Sequence, residues 1–118
     1  MEPIQYVGID EVDQAGRQVL DRLSAEYHEK IQRSLNNPTS LQIHIKVYSK
    51  EGKKKYSIHV KAVAATRLFQ STKAHDWDLA RTLHKAFQDI EHQIKHKLHT
   101  DEQRPKVTRR ELVEKGLK

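Results

Sequence analysis

From residue 41 onward, apolar and polar residues alternate. Leu41, Ile43, Ile45 and Val47 interleave with Gln42, His44, Lys46 and Tyr48, and Tyr56, Ile58, Val60 and Ala62 interleave with Ser57, His59, Lys61 and Val63. A period of two marks strands with one buried and one wet face. Between the runs, "SKEGKKK" predicts a turn around Gly52 and joins them as a hairpin. Upstream, Ile4–Gly8 predicts a short first strand. Val12, Val19, Leu20, Leu23, Tyr27, Ile31 and Leu35 then recur at helical spacing, with Asp10 as a candidate cap near the helix start at Glu11. "NNPTS" ends that helix, because Pro38 cannot continue it and Asn is a natural stop. Downstream, a third hairpin-region strand is predicted over Arg67–Lys73, followed by a second long helix capped by Asp76 or Asp78. Its apolar stripe is Ala80, Leu83, Phe87, Ile90, Ile94 and Leu98, and it ends before Pro105.

The predicted order is β-α-β-β-β-α, an α+β fold. Both helices need an apolar surface and the sheet offers one such face. Two helices packed on one face of a mainly antiparallel four-stranded sheet is the economical arrangement. The other face, with His44, Lys46, His59 and Lys61, is left open and basic. One domain over residues 1–103 suits a chain of 118 residues, with 104–118 expected as a basic C-terminal tail, flexible or forming a short helix around a Thr108–Glu111 capping box.

Charge sharpens this picture. The apolar fraction is 36% and the charged fraction 32%, with a formal net charge of +6. Residues 1–40 carry −3, residues 41–73 carry +7 with Glu51 as their single acid, and residues 74–118 carry +2. A solvated surface ordinarily mixes its signs, so a block at +7 points to a polyanionic partner. The candidate contacts are Lys46, Lys53, Lys54, Lys55, Lys61 and Lys73 from this block, and Arg81, Lys85, His92, Lys95, His96 and Lys97 from the outer side of the second helix.

Other chemistry finds little support. There is no cysteine, and four glycines standing singly make no phosphate-cradling loop. "HQIKH" at 92–96 has Gln93 where a zinc hydrolase motif needs its glutamate. His92, His96 and His99 share a helix face and Asp89 is nearby, yet a solvated or RNA-facing cluster fits them better than a metal site. No enzyme, cofactor or small-molecule substrate is expected. Trp77, at the opening of the second helix, is expected to cap the core edge. Tyr48, on the wet face beside Lys46, is the better base-stacking candidate. No run approaches a membrane span and the N-terminus lacks a basic, then apolar, leader pattern, so a cytoplasmic protein is expected.

The second half resembles a known family. "IEHQIKHK" (90–97) is similar to the end of the second helix in the ribosome hibernation promoting factor and ribosome-associated inhibitor family. "DWDLARTLHKAF" (76–87) resembles that helix's start. "IQYVG", "DRLSAEYHEKI", the 41–62 hairpin and "RLFQSTK" follow in the family's order, so the resemblance spans about residues 4–99. It implies a β-α-β-β-β-α domain that binds the small ribosomal subunit and its rRNA, blocks the decoding channel used by mRNA and tRNA, and preserves idle ribosomes under stress. His92, His96 and Asp89 stand where the family often has Arg or Lys, so that helix face carries less fixed positive charge than the resemblance implies. The fifteen residues from Arg104 are too few for the ribosome-pairing domain of long members, so a short form, monomeric when free, is expected. Two rivals are a double-stranded RNA-binding module, whose last helix starts with lysines where this chain has "AHDWDLA", and a protein-interaction module built on the acidic first helix.

Overall fold

The computed structural model describes residues 3–65 and 67–113, with side chains from 99 onward outside that description. Its elements are strand β1 (Ile4–Val7), a 3-10 turn (Ile9–Glu11), helix α1 (Gln14–Leu35), strands β2 (Thr39–Lys50), β3 (Lys53–Ala64) and β4 (Arg67–Asp76), and helix α2 (Leu79–Val113). The fold is the expected α+β arrangement: one sheet in the order β1-β2-β3-β4, with β2, β3 and β4 antiparallel. β1 joins β2 in parallel, Ile4 opposite Leu41 and Val7 opposite His44.

Both helices cover one face of this sheet. Leu41, Ile43 and Ile45 from β2, Ile58, Val60 and Ala62 from β3 and Phe69 and Ala74 from β4 are buried beneath them. From α1 come Leu20, Leu23, Tyr27 and Ile31, and from α2 Leu83, Ala86, Phe87, Ile90 and Ile94. The helices lock together where the Tyr27 and Phe87 rings stack, centroids 4.6 Å apart, and Tyr27 Oη meets His84 Nδ1 at 2.6 Å.

Several boundaries differ from the sequence expectation. The cap of α1 is Asp13, whose Oδ1 accepts from the Gly16 amide at 2.8 Å, while Asp10 lies in the preceding 3-10 turn. Gly8 makes that turn possible, with φ of 86° and a backbone so close to β2 that a Cβ would meet the Ile45 carbonyl oxygen. Asn36 ends α1 in the left-handed conformation, as Asn permits. The hairpin turn is tighter than "SKEGKKK" suggests. Glu51 and Gly52 alone form the loop, both at positive φ, while Lys50 and Lys53 already pair across the strands. This two-residue turn has the twist a hairpin favours. Lys53, Lys54 and Lys55 are therefore strand residues.

β4 continues beyond Lys73 to Asp76, after a bulge opposite His59. Finally, α2 does not stop before Pro105. Its backbone is helical to Val113, so residues 104–113 continue the helix and the Thr108–Glu111 box starts no new one. Pro105 forfeits one amide donor, and the helix formers Glu102, Gln103, Arg104 and Lys106 around it favour continuation. No helix among the described residues is long and apolar enough to cross a membrane.

Candidate nucleic-acid interface

The sheet face away from the helices is built by the same alternation that builds the core. Because Ile43, Ile45, Ile58 and Val60 point inward, their neighbours point outward. Register then sets these in rows. Gln42 opposes Lys61, His44 opposes His59, Lys46 opposes Ser57, Tyr48 opposes Lys55 and Lys50 opposes Lys53. From β4, Gln70 joins Lys61, His75 joins Ser57, and the bulge places exposed Thr72 and Lys73 beside His59. The face thus gathers Lys46, Lys50, Lys53, Lys55, Lys61 and Lys73 with His44, His59 and His75. Among the described residues no carboxylate shares it, and Glu51 sits only at its far turn. The His44 and His59 rings lie edge to face with centroids 6.2 Å apart. Such a surface cannot neutralise itself and attracts anions.

Five of the expected contacts, Lys46, Lys53, Lys55, Lys61 and Lys73, are brought together here. Lys54 has the opposite parity and projects from the other side of the hairpin, beyond helix cover, where it is exposed. Sequence reasoning missed Lys50 and His75. Lys50 continues the alternation from Leu41, but "SKEGKKK" reads as turn, and His75 lies past the predicted end of its strand.

Helix α2 contributes a second, differently disposed set. Of the two candidate caps, Asp78 caps the helix, its Oδ2 accepting from the Arg81 amide at 2.8 Å. Asp76 instead binds the cations: Lys85 Nζ donates to its Oδ2 at 2.8 Å and Arg81 Nη1 lies 3.6 Å from its Oδ1. With its side chain 12% exposed, Asp76 is held below the ordinary carboxylate range chiefly by the Lys85 hydrogen bond; burial, the next largest influence, opposes this, and the Trp77 amide and the Lys85 and Arg81 charges add to the lowering. Arg81 and Lys85 are thus partly neutralised within the fold.

Further along, His92 and His96 follow Lys85 on one flank, in steps of seven and four, with Asp89 between. This flank adjoins β4, where Gln93 Nε2 donates to the Gln70 carbonyl at 2.7 Å and Lys85 Nζ reaches the His75 carbonyl at 3.3 Å. Lys95 and Lys97 are exposed on other sides of the helix. Among the described residues no cluster of three or more His, Asp or Glu could hold a metal. The side chain of His99 lies outside the described residues.

The two aromatics behave differently from expectation. Trp77 does not cap the core: it is 52% exposed, just past the end of β4, with Lys55 Nζ 5.6 Å from its ring centre. Tyr48 is 53% exposed on the open face, beside Lys55 across the strands.

Comparison of the chain with protein-family models, with curated proteins and with solved structures yields no match.

Proposed function

We propose that this domain binds the small ribosomal subunit through rRNA phosphates and occupies the channel used by mRNA and tRNA, acting as a cytoplasmic, stress-linked brake on translation that is monomeric when free. One observation carries the reading: an open four-stranded face with six lysines, three histidines and no carboxylate among the described residues. Folded RNA offers a dense wall of phosphates, and a rigid sheet can meet several at once, so recognition is by shape and charge. The β-α-β-β-β-α order is also the one the family resemblance implies. No nucleophile or acid–base pair is needed for such a role.

The double-stranded RNA-binding reading relies on a basic start to the last helix. Here Asp76 and Asp78 occupy that start, and Asp76 takes up the charge of Arg81 and Lys85. Sedimentation of the purified protein with isolated small and large subunits tests the proposal. Co-migration with the small subunit, reduced when tRNA fills it, is expected. Equal binding to both subunits and to plain duplex RNA would favour the rival.

A further inference from the structure

The open end of the β2–β3 hairpin has features that phosphate binding alone does not explain. Two of the most exposed large apolar side chains, Tyr48 and Trp77, flank one lysine, Lys55. A hollow of about 500 Å³ opens beside Tyr48, with Lys50, Lys55, Ser57 and His75 among the residues of its walls, and a neighbouring one of about 490 Å³ is bounded by Trp77 with Lys50, Glu51 and Lys53. Each volume lies within the roughly 300–1,000 Å³ that small organic groups occupy.

The geometry points to a docking site for an unpaired nucleotide of an RNA strand, its base stacked on Tyr48 or Trp77 and its phosphates on Lys50, Lys53 and Lys55. This rests on the RNA-binding reading above and adds that the partner presents a single-stranded element at the hairpin end. Three features support that occupant. The aromatic rings are flat, water-exposed platforms, and every base has a π-face to match. The lysines around them carry the charge opposite to phosphate, and among the described residues Glu51 is the sole acid bordering either hollow. Ser57 and His75, paired across β3 and β4, supply hydroxyl and imidazole groups for polar edges of the base. A regular duplex keeps its base faces stacked inside and could use the lysines but not the rings.

The Lys55 ammonium now occupies the π-face of Trp77. An arriving base takes over that ring face, and the released ammonium moves to the adjoining phosphate.

The chain has one tryptophan, so its fluorescence reports directly on the site. The experiment titrates the intact protein with a ten-nucleotide single-stranded RNA, the matching duplex, and adenosine monophosphate. Expected are saturable quenching and a blue-shift of Trp77 by the single strand, with the duplex and the mononucleotide much weaker. Anisotropy of a labelled single strand then follows the variants. Tyr48→Ala or Trp77→Ala should bind roughly 5- to 150-fold more weakly, the span that loss of one stacked base produces. Tyr48→Phe and Trp77→Phe should retain most of the affinity.

Equal quenching by the duplex, equal affinity for the mononucleotide, or unchanged affinity in both alanine variants would each overturn the inference. Circular dichroism melting verifies that the variants fold. Subunit sedimentation is a separate readout. If the alanine variants still sediment like the parent and the single strand does not quench, the nucleotide site fails and ribosome binding stands. If the single strand quenches but no subunit binds, the ribosomal reading fails and the site stands.

Discussion

Replacing Lys46, Lys61 and Lys73 together by Gln removes three cations from the middle of the open face and leaves Lys50, Lys53 and Lys55 at its end. All three project away from the helices and are exposed, so the core is untouched. Each phosphate contact contributes about 0.7 to 0.9 to the slope of log affinity against log salt. If all six lysines meet phosphates, the parent should lose about 300- to 1,800-fold in affinity between 50 and 200 mM salt, and the triple variant about 20- to 40-fold. The assay is binding to small subunits over that salt series, with thermal melting alongside. Melting should hold, since exposed substitutions usually cost within about 0.5 kcal/mol each and removing like charges relieves repulsion. The control is Arg81→Gln with Lys85→Gln, which removes charge already committed to Asp76. That variant should bind with nearly the parent's slope. A parental slope in the triple variant, or a flattened slope in the control alone, would refute the assignment of the interface to the sheet and move it to α2.

Three further outcomes follow from the fold. Gly8→Ala places a Cβ against the Ile45 carbonyl at a φ of 86°, so urea denaturation should show a loss of at least about 1–3 kcal/mol. Asp76 is held below its ordinary 3.8, so its contribution is complete above that value and is lost as pH falls through the lower native value, where the unfolded chain binds the proton first. Melting temperature against pH should therefore fall more gently below about pH 4 in Asp76→Asn than in the parent. Burial, with a smaller part from Asp21, pushes the Tyr6 phenol up to about 12, so its contribution holds below pH 10 and disappears as pH rises from 10 through 12; absorbance titration should lose its latest-ionising component in Tyr6→Phe.

The parts of the fold that were legible in the sequence are those where the core imposes a period. Leu41 to Val47 and Tyr56 to Ala62 alternate because helices cover one side of them, and that cover ends near Val47 and Tyr56. Beyond it, Ser49, Lys50, Lys53 and Lys54 are exposed whichever way they point, so no polarity contrast marks the strand and seven residues resembled a turn. The basic face was legible for the same reason as the core, being its complement. The pairing of Asp76 with Lys85 and Arg81 was not, because it depends on β4 running to Asp76 before α2 turns back beside it. Trp77 misled because an aromatic at a helix start commonly caps a core, and only the strand lengths place it beyond the buried layer. At Pro105 the helix continues where a local rule about helix interiors predicts a stop.

The parallel pairing of β1 with β2 has a bearing on how the chain folds. β2, β3 and β4 form a meander whose paired strands follow one another directly along the chain, so their ladders close with little loss of chain entropy. β1 must meet Leu41 to His44 across the whole of α1, and it offers only four residues when it arrives. Contacts distant along the chain are entropically late. The meander can therefore assemble with α2 before the first strand docks, and β1 is the strand whose amides should exchange with solvent at the lowest opening cost in the native protein. The basic face, carried almost wholly by β2, β3 and β4, would then be in place before the fold is complete, and fraying at the β1 edge would leave its lysines where they are.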